Sequence, residues 1–225
     1  MNQPHRSAAV NPLPPIIVAL AVPMALLEAA LWLGSRGLFD GLGWRITVLQ
    51  DLALYPQLLQ AMADAGRWPA SELMRFVTFP FVHYAPLHAI MAIVFLLALG
   101  KMVGEVFNAF AVLVVFFGSA VFGAIAYALL ATSNIPLAGG FPAVYGLIGA
   151  FTYLLYVQLG ALGAPQARAF TLIGFLLGIQ LVFGLLFGAG QDWIAEVAGF
   201  VAGFALSVVV SPGGFRRLRA RIQRR

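Results

Sequence analysis

Long apolar runs, set close together along a short chain, constrain this sequence more than any other feature. They lie at about residues 13–33, 87–103, 107–131, 143–162, 169–187 and 193–210. Each is near the roughly 20 residues that carry a helix across a bilayer. Composition points the same way. Of 225 residues, 62% are apolar and 9% charged, with a mean hydropathy of +0.95, whereas a soluble domain carries about 25% charge. The class is therefore an all-α membrane protein with six transmembrane helices, and a large soluble domain is excluded. The absence of cysteine rules out disulfides, thiolate metal sites and a cysteine nucleophile.

The chain divides into a cytoplasmic N-terminal segment at 1–12, a six-helix membrane domain at 13–211 with a first loop at about 34–86, and a basic cytoplasmic tail at 212–225. The first run is interrupted by Pro23 and carries Glu28. It is too long and broken for the core of a signal peptide and reads as a retained span. In the first loop, Arg36, Asp40, Arg45, Asp51, Asp64, Arg67, Glu72 and Arg75 alternate with Trp44, Trp68, Leu58 and Leu59. Such texture predicts short helices lying at the membrane interface. If the spans alternate, Arg6, Lys101, Arg168 and the tail arginines at 216, 217, 219, 221, 224 and 225 share one side, so both termini are expected in the cytoplasm. The expected location is a bacterial inner membrane. The tail arginines fit contact with anionic lipid, at about 1 kcal/mol each near the surface, rather than a nucleic-acid face. Glycines four apart, at 100/104, 174/178, 184/188 and 199/203, predict close helix–helix packing.

Three stretches carry a family resemblance. Arg75-Phe76-Val77-Thr78 is followed by His83 and then His88. Gly139-Gly140-Phe141-Pro142-Ala143-Val144-Tyr145-Gly146-Leu147 opens the fourth run, and Ala195-Glu196-Val197-Ala198-Gly199-Phe200-Val201-Ala202-Gly203 lies in the sixth. In this order on a six-span chain they resemble the rhomboid family of intramembrane serine proteases, over about residues 72–210. The resemblance implies a six-helix rhomboid-like bundle in which a serine at the start of the fourth helix is activated by a histidine on the sixth. Carried over by position, the serine falls on Phe141, the glycine after it on Pro142, the histidine on Glu196, and an oxyanion-hole asparagine on Ala92. The frame that the resemblance retains is Arg75, His83, His88, Tyr145, Gly199 and Gly203. It therefore implies a catalytically inactive member, of the kind used to bind, stabilise or route client membrane proteins.

Elementary chemistry leads to the same expectation. Acyl transfer needs a nucleophile beside a base that takes its proton, and phenylalanine supplies no nucleophile. Proline at 142 removes a backbone donor, and loss of one oxyanion donor costs about 10²- to 10³-fold in rate. Thr78, Ser119, Thr132, Ser133 and Thr152 are the remaining hydroxyls considered, and none has a base placed by spacing. Glu196 is an intramembrane carboxylate, by default suspected of function. The plainer reading is that it faces a former active-site cavity and bonds Tyr145 or His83. His83 and His88, five apart, lack the spacing of two ligands on one helical face, so no metal or cofactor is expected. They are expected to hold the first loop against the second span, and Arg75 to anchor that loop. Glu28 either reaches the outer interface near Trp32 or makes an interhelical hydrogen bond. The expected partners are transmembrane segments of other membrane proteins, or one large complex of which this chain is an accessory subunit. A residual protease remains a further alternative.

Overall fold

A computed structural model describes residues 12–37, 41–187 and 190–212. The arginine tail, Arg6 and Asp40 lie outside the described residues. Within them the α-helices are α1 (Pro15–Ser35), α2 (Trp44–Leu52), α3 (Leu58–Ala65), α4 (Ala70–Thr78), α5 (Pro86–Gly104), α6 (Ala109–Leu130), α7 (Phe141–Ala161), α8 (Thr171–Phe187) and α9 (Trp193–Val210). Short 3-10 turns at Phe79–Phe81 and Gln166–Phe170 precede α5 and α8. Local chemistry sets several boundaries. Pro15 and Pro86 open α1 and α5, where a missing N–H costs nothing and φ is already helical. The Asn108 side chain caps α6 by accepting from the Ala111 N–H at 2.8 Å, which satisfies an otherwise orphan donor.

Among the described residues five helices, α1, α5, α6, α7 and α9, are long and apolar enough to cross a membrane. The fifth expected run is shorter than its apolar stretch suggests, because residues 166–170 form a 3-10 turn and leave α8 with 17 residues. The fourth begins two residues earlier than expected, at Phe141 rather than Ala143. That shift matters, because it places Phe141 and Pro142 inside the first turn of the helix.

α7 is the most enclosed span, with buried residues running from Pro142 to Ala150. It packs against α6 and α9 through contacts that only glycine permits. A β-carbon on Gly203 would stand 2.0 Å from the Gly146 carbonyl oxygen, one on Gly199 2.2 Å from that of Pro142, and one on Gly149 2.2 Å from that of Phe200. Removing side chains lets backbones meet where lipid supplies no hydrophobic push. Gly100 and Gly104 on α5 make room for side chains instead, those of Ile17 in α1 and of Pro14 just before it. The expectation of close packing fails at Gly174 and Gly178, whose missing β-carbons would meet nothing within 4 Å. The physical reason is that α8 packs sparsely on the bundle and turns this face outward. The pair 184/188 includes Gly188, outside the described residues.

The first loop is strapped down by polar contacts. Arg45 on α2 makes a two-pronged ion pair with Glu28 of α1, at 2.6 and 3.0 Å, and donates to the His83 carbonyl at 2.7 Å. Of the two expectations for Glu28, the interhelical hydrogen bond is the one that forms, to a charged partner on α2, rather than a place at the outer interface near Trp32. A buried carboxylate this far into an apolar helix needs a compensating charge, and the loop delivers one. Arg75 donates to the carbonyls of Gln50 and Ala53 at 2.6 and 3.0 Å and pairs with Glu72 at 2.7 Å, anchoring the loop as expected. An isolated antiparallel bridge, Leu54 with Leu137, ties the loop to the segment before α7. Apolar patterning carries no signal for that bridge.

Candidate functional site

The start of α7 is built from a glycine turn and a stack of rings. Gly139 has φ +111°, and a β-carbon there would lie 2.7 Å from His88 Cε1, so both conformation and space demand glycine. The Gly140 N–H donates to His83 Nε2 at 3.2 Å. Because Nε2 accepts, the His83 proton sits on Nδ1. That nitrogen is buried without a hydrogen bond of ordinary geometry, although the Phe81 carbonyl lies near enough to favour its proton. Burial, then the nearby His88 and Arg45, pulls the His83 pKa down to about 3. His83 is therefore a neutral strut between the loop and α7.

Phe141, the first residue of α7, lies parallel to the His88 ring at 5.1 Å and 10°. Tyr84 also lies parallel to His88, at 6.3 Å and 8°, while His83 meets it edge-on at 5.3 Å. His83 and His88 are thus brought together by ring contacts, and the expected loop-to-helix role extends to α7 as well. Among the described residues no group of three or more His, Cys, Asp or Glu gathers. Ala92 is fully buried behind this cluster and offers no donor.

Tyr145, one turn along α7, faces Glu196 in the first turn of α9. Glu196 is 8% exposed. It accepts hydrogen bonds from the Gln180 amide of α8 and from Tyr145. Tyr145 is one of the two partners anticipated for it; His83, the other, is engaged by Gly140 instead. A pocket of about 270 Å³ lies among α5, α7, α8 and α9, lined by apolar side chains with Tyr145, Gln180 and Glu196 as its polar groups. Phe141 stands on its wall.

The Rhomboid domain family matches residues 70–213. The chain belongs to the rhomboid family. It is similar to Rhomboid-like protease 3 of Toxoplasma gondii, 28% identical over 149 residues that cover 66% of this chain and 56% of that protein. The chain thus spans little more than half the length of this relative. The family match and the five apolar helices make it an integral, multi-pass membrane protein. α1 and the loop helices α2 and α3 precede the matched region.

Within this rhomboid the hydroxyls weighed from sequence are scattered. Ser119 and Thr152 are fully buried, and their oxygens have no hydrogen-bond partner. Ser119 instead packs into the space left by Gly146, where a β-carbon would come within 2.1 Å of its oxygen. Thr78 donates to the Leu52 and Met74 carbonyls. Ser133 accepts from the Ile135 N–H at 3.0 Å, and Thr132 accepts from the Gln191 amide at 2.8 Å. Each of these partners is a backbone group or an amide, not a base.

Sequence reasoning missed three polar residues that organise the site. Gln191 accepts from the Thr132 and Ser133 N–H groups at 2.7 and 2.8 Å, so the loop before α9 is clipped to the loop before α7. Beside it, burial pushes the Asp192 carboxyl up, and burial together with Asp192 raises the Tyr84 phenol. Arg45 and Gln180 complete the three. Gln180 had a legible signal, since a lone amide in an apolar span calls for a partner. Gln191 and Arg45 had none, because their partners are 58 or 59 and 17 residues away.

Proposed function

We propose that this rhomboid is catalytically inactive and binds transmembrane helices of partner proteins, in client binding or in the assembly or stabilisation of a membrane complex. One observation carries the reading: Phe141 begins α7 where the family resemblance puts the nucleophile, and its ring is packed on His88. A hydrocarbon there supplies no attacking atom. Pro142 has no N–H to offer an oxyanion, and Ala92 no side-chain donor. Glu196, at the position of the family's base, is engaged by Gln180 and Tyr145. The pocket and the frame around it persist, which suits recognition rather than chemistry.

In this reading the chain crosses the bilayer six times. α8, with 17 residues, is about 26 Å long at 1.5 Å per residue, enough for a short or locally thinned crossing. Both termini then lie in the cytoplasm of a bacterial inner membrane, the arginine tail meets anionic lipid, and the first loop lies at the outer interface. Exposed Trp44, Ile46, Trp68, Leu73 and Met74 on or beside α2 and α4 support that placement, since amphipathic interfacial helices bury such side chains among headgroups.

The test joins two measurements on the purified full chain. In the first, synthetic transmembrane substrates are incubated with the protein in lipid and scanned for cleavage. In the second, chains that copurify from native membranes in mild detergent are identified and quantified. Several substoichiometric helical partners without cleavage are expected. Cleavage that disappears on mutating one hydroxyl would overturn the proposal, and a single equimolar partner would make the protein an accessory subunit of one complex.

A further inference from the structure

The pocket beside Glu196 has a shape and polarity of its own. Its walls are Phe95 of α5, Val144 and Ile148 of α7, and Leu176 and Ile179 of α8. Ile179, 41% exposed, places part of this lining at the outer surface of α8. At about 270 Å³ the space falls below the roughly 300–1,000 Å³ of sites for small organic ligands. It suits one or two inserted side chains. Glu196 is its acidic group. It stands in the first turn of α9, where the positive end of the helix favours a carboxylate. Among the described residues its hydrogen-bond partners are the neutral Gln180 and Tyr145, and Asp192 lies near enough to add negative rather than positive charge. The contrast with Glu28 is direct, because that carboxylate has its arginine.

An apolar pocket whose buried carboxylate has no cation beside it among the described residues complements one kind of side chain, a hydrocarbon stem with a positive tip. We infer that the helix bound at this site carries a lysine in its outer portion, with the stem against Phe95, Val144, Ile148 and Leu176 and the ammonium on Glu196. Lysine matches better than arginine. Its compact ammonium on four methylenes fits a small apolar space of about 270 Å³, whereas a guanidinium is a planar fork that seeks two-pronged partners. For the client helix the pairing removes the cost of a lone charge in hydrocarbon. For the rhomboid it supplies the missing counter-charge. The inference rests on the helix-binding reading above and adds what the site selects.

The experiment uses the full-length protein in lipid nanodiscs and synthetic single-span helices, identical except for Lys, Leu or Glu at one position scanned through the outer quarter. Binding is followed by fluorescence energy transfer. At one register the lysine helix should bind about tenfold more tightly than the leucine helix, as expected of a close buried charge pair, and the glutamate helix should bind worst. In Glu196→Gln the lysine and leucine helices should bind alike. Equal affinity of wild type for lysine and leucine helices at every register overturns the inference while leaving helix binding intact. So does a lysine preference that survives in Glu196→Gln. Failure of every helix to bind refutes the helix-binding reading itself. If Glu196→Gln does not fold, the three-helix comparison on wild type alone decides.

Discussion

The contact between α7 and α9 can be tested by one methyl group. In Gly203→Ala the new carbon would begin 2.0 Å from the Gly146 carbonyl oxygen and 2.5 Å from Gly146 Cα. Contacts of this kind are essentially never under 3.0 Å, so the two backbones must part by at least about 1 Å. Backbone cannot swing aside like a side-chain tip, and Gly199 and Gly149 hold the same two helices equally close on either side. Overpacking costs about 1–3 kcal/mol, and the better helix propensity of alanine returns no more than about 1 kcal/mol. A clash between two backbones at 2.0 Å belongs at the upper end of that cost, so a net loss of about 2 kcal/mol follows, which at about 2–4 °C per kcal/mol for a chain of this size lowers Tm by about 4–8 °C. Gly178→Ala is the internal control. Its new carbon meets nothing within 4 Å, so Tm should hold or rise slightly. Thermal unfolding of both variants in one detergent measures the difference. A Gly203→Ala protein as stable as wild type, or a Gly178→Ala protein equally destabilised, would refute the packing argument.

Removing Arg45 should be worse than removing its whole ion pair. Arg45→Ala strands the buried Glu28 carboxylate and should cost about 3–5 kcal/mol, while adding Glu28→Leu should recover most of the loss, as replaced buried pairs commonly do; denaturant titration of both variants checks this. Stability should also fall in mild acid. With a folded pKa of about 3 for His83 against about 6.5 unfolded, only the unfolded chain takes up the proton between those values. The contribution is therefore full above about pH 6.5 and declines as pH drops, by about 2 kcal/mol between pH 7 and 5, and His83→Gln should flatten that part of the pH profile. Finally, the double substitution Phe141→Ser with Glu196→His should leave cleavage of a synthetic transmembrane substrate at background. Pro142 and Ala92 still withhold oxyanion donors worth about 10²- to 10³-fold each; robust turnover would show that those two positions matter little.

Much of the site could be read along the chain because three ordered motifs resemble those of a known family. His83, His88, Tyr145 and Gly199 with Gly203 were named from that resemblance, and they lie on separate elements that only packing brings near one another. Glu28 shows where such reading ends. Its burial demanded a partner, but the demand does not say which residue meets it, and Arg45 was one of several loop arginines. The clip made by Gln191 and the bridge between Leu54 and Leu137 were equally out of reach, since loop–loop hydrogen bonds leave no periodic trace. The glycine pairs illustrate both sides. Identical spacing predicted identical packing, yet Gly199 and Gly203 face a neighbouring backbone while Gly174 and Gly178 face open space.

The sequence by itself determined that this is a multi-pass helical membrane protein of rhomboid type, because hydrocarbon accepts only segments that satisfy their own backbone and because the motifs lie at fixed offsets along helices. Tertiary structure alone decided which carboxylate is compensated. Glu28 and Glu196 are alike in sequence, each an acid in an apolar span, but α2 carries an arginine to the first and α8 only an amide to the second. Charge pairing in a low-dielectric interior depends on distances of a few ångströms between distant segments, and those distances exist only once the helices have packed.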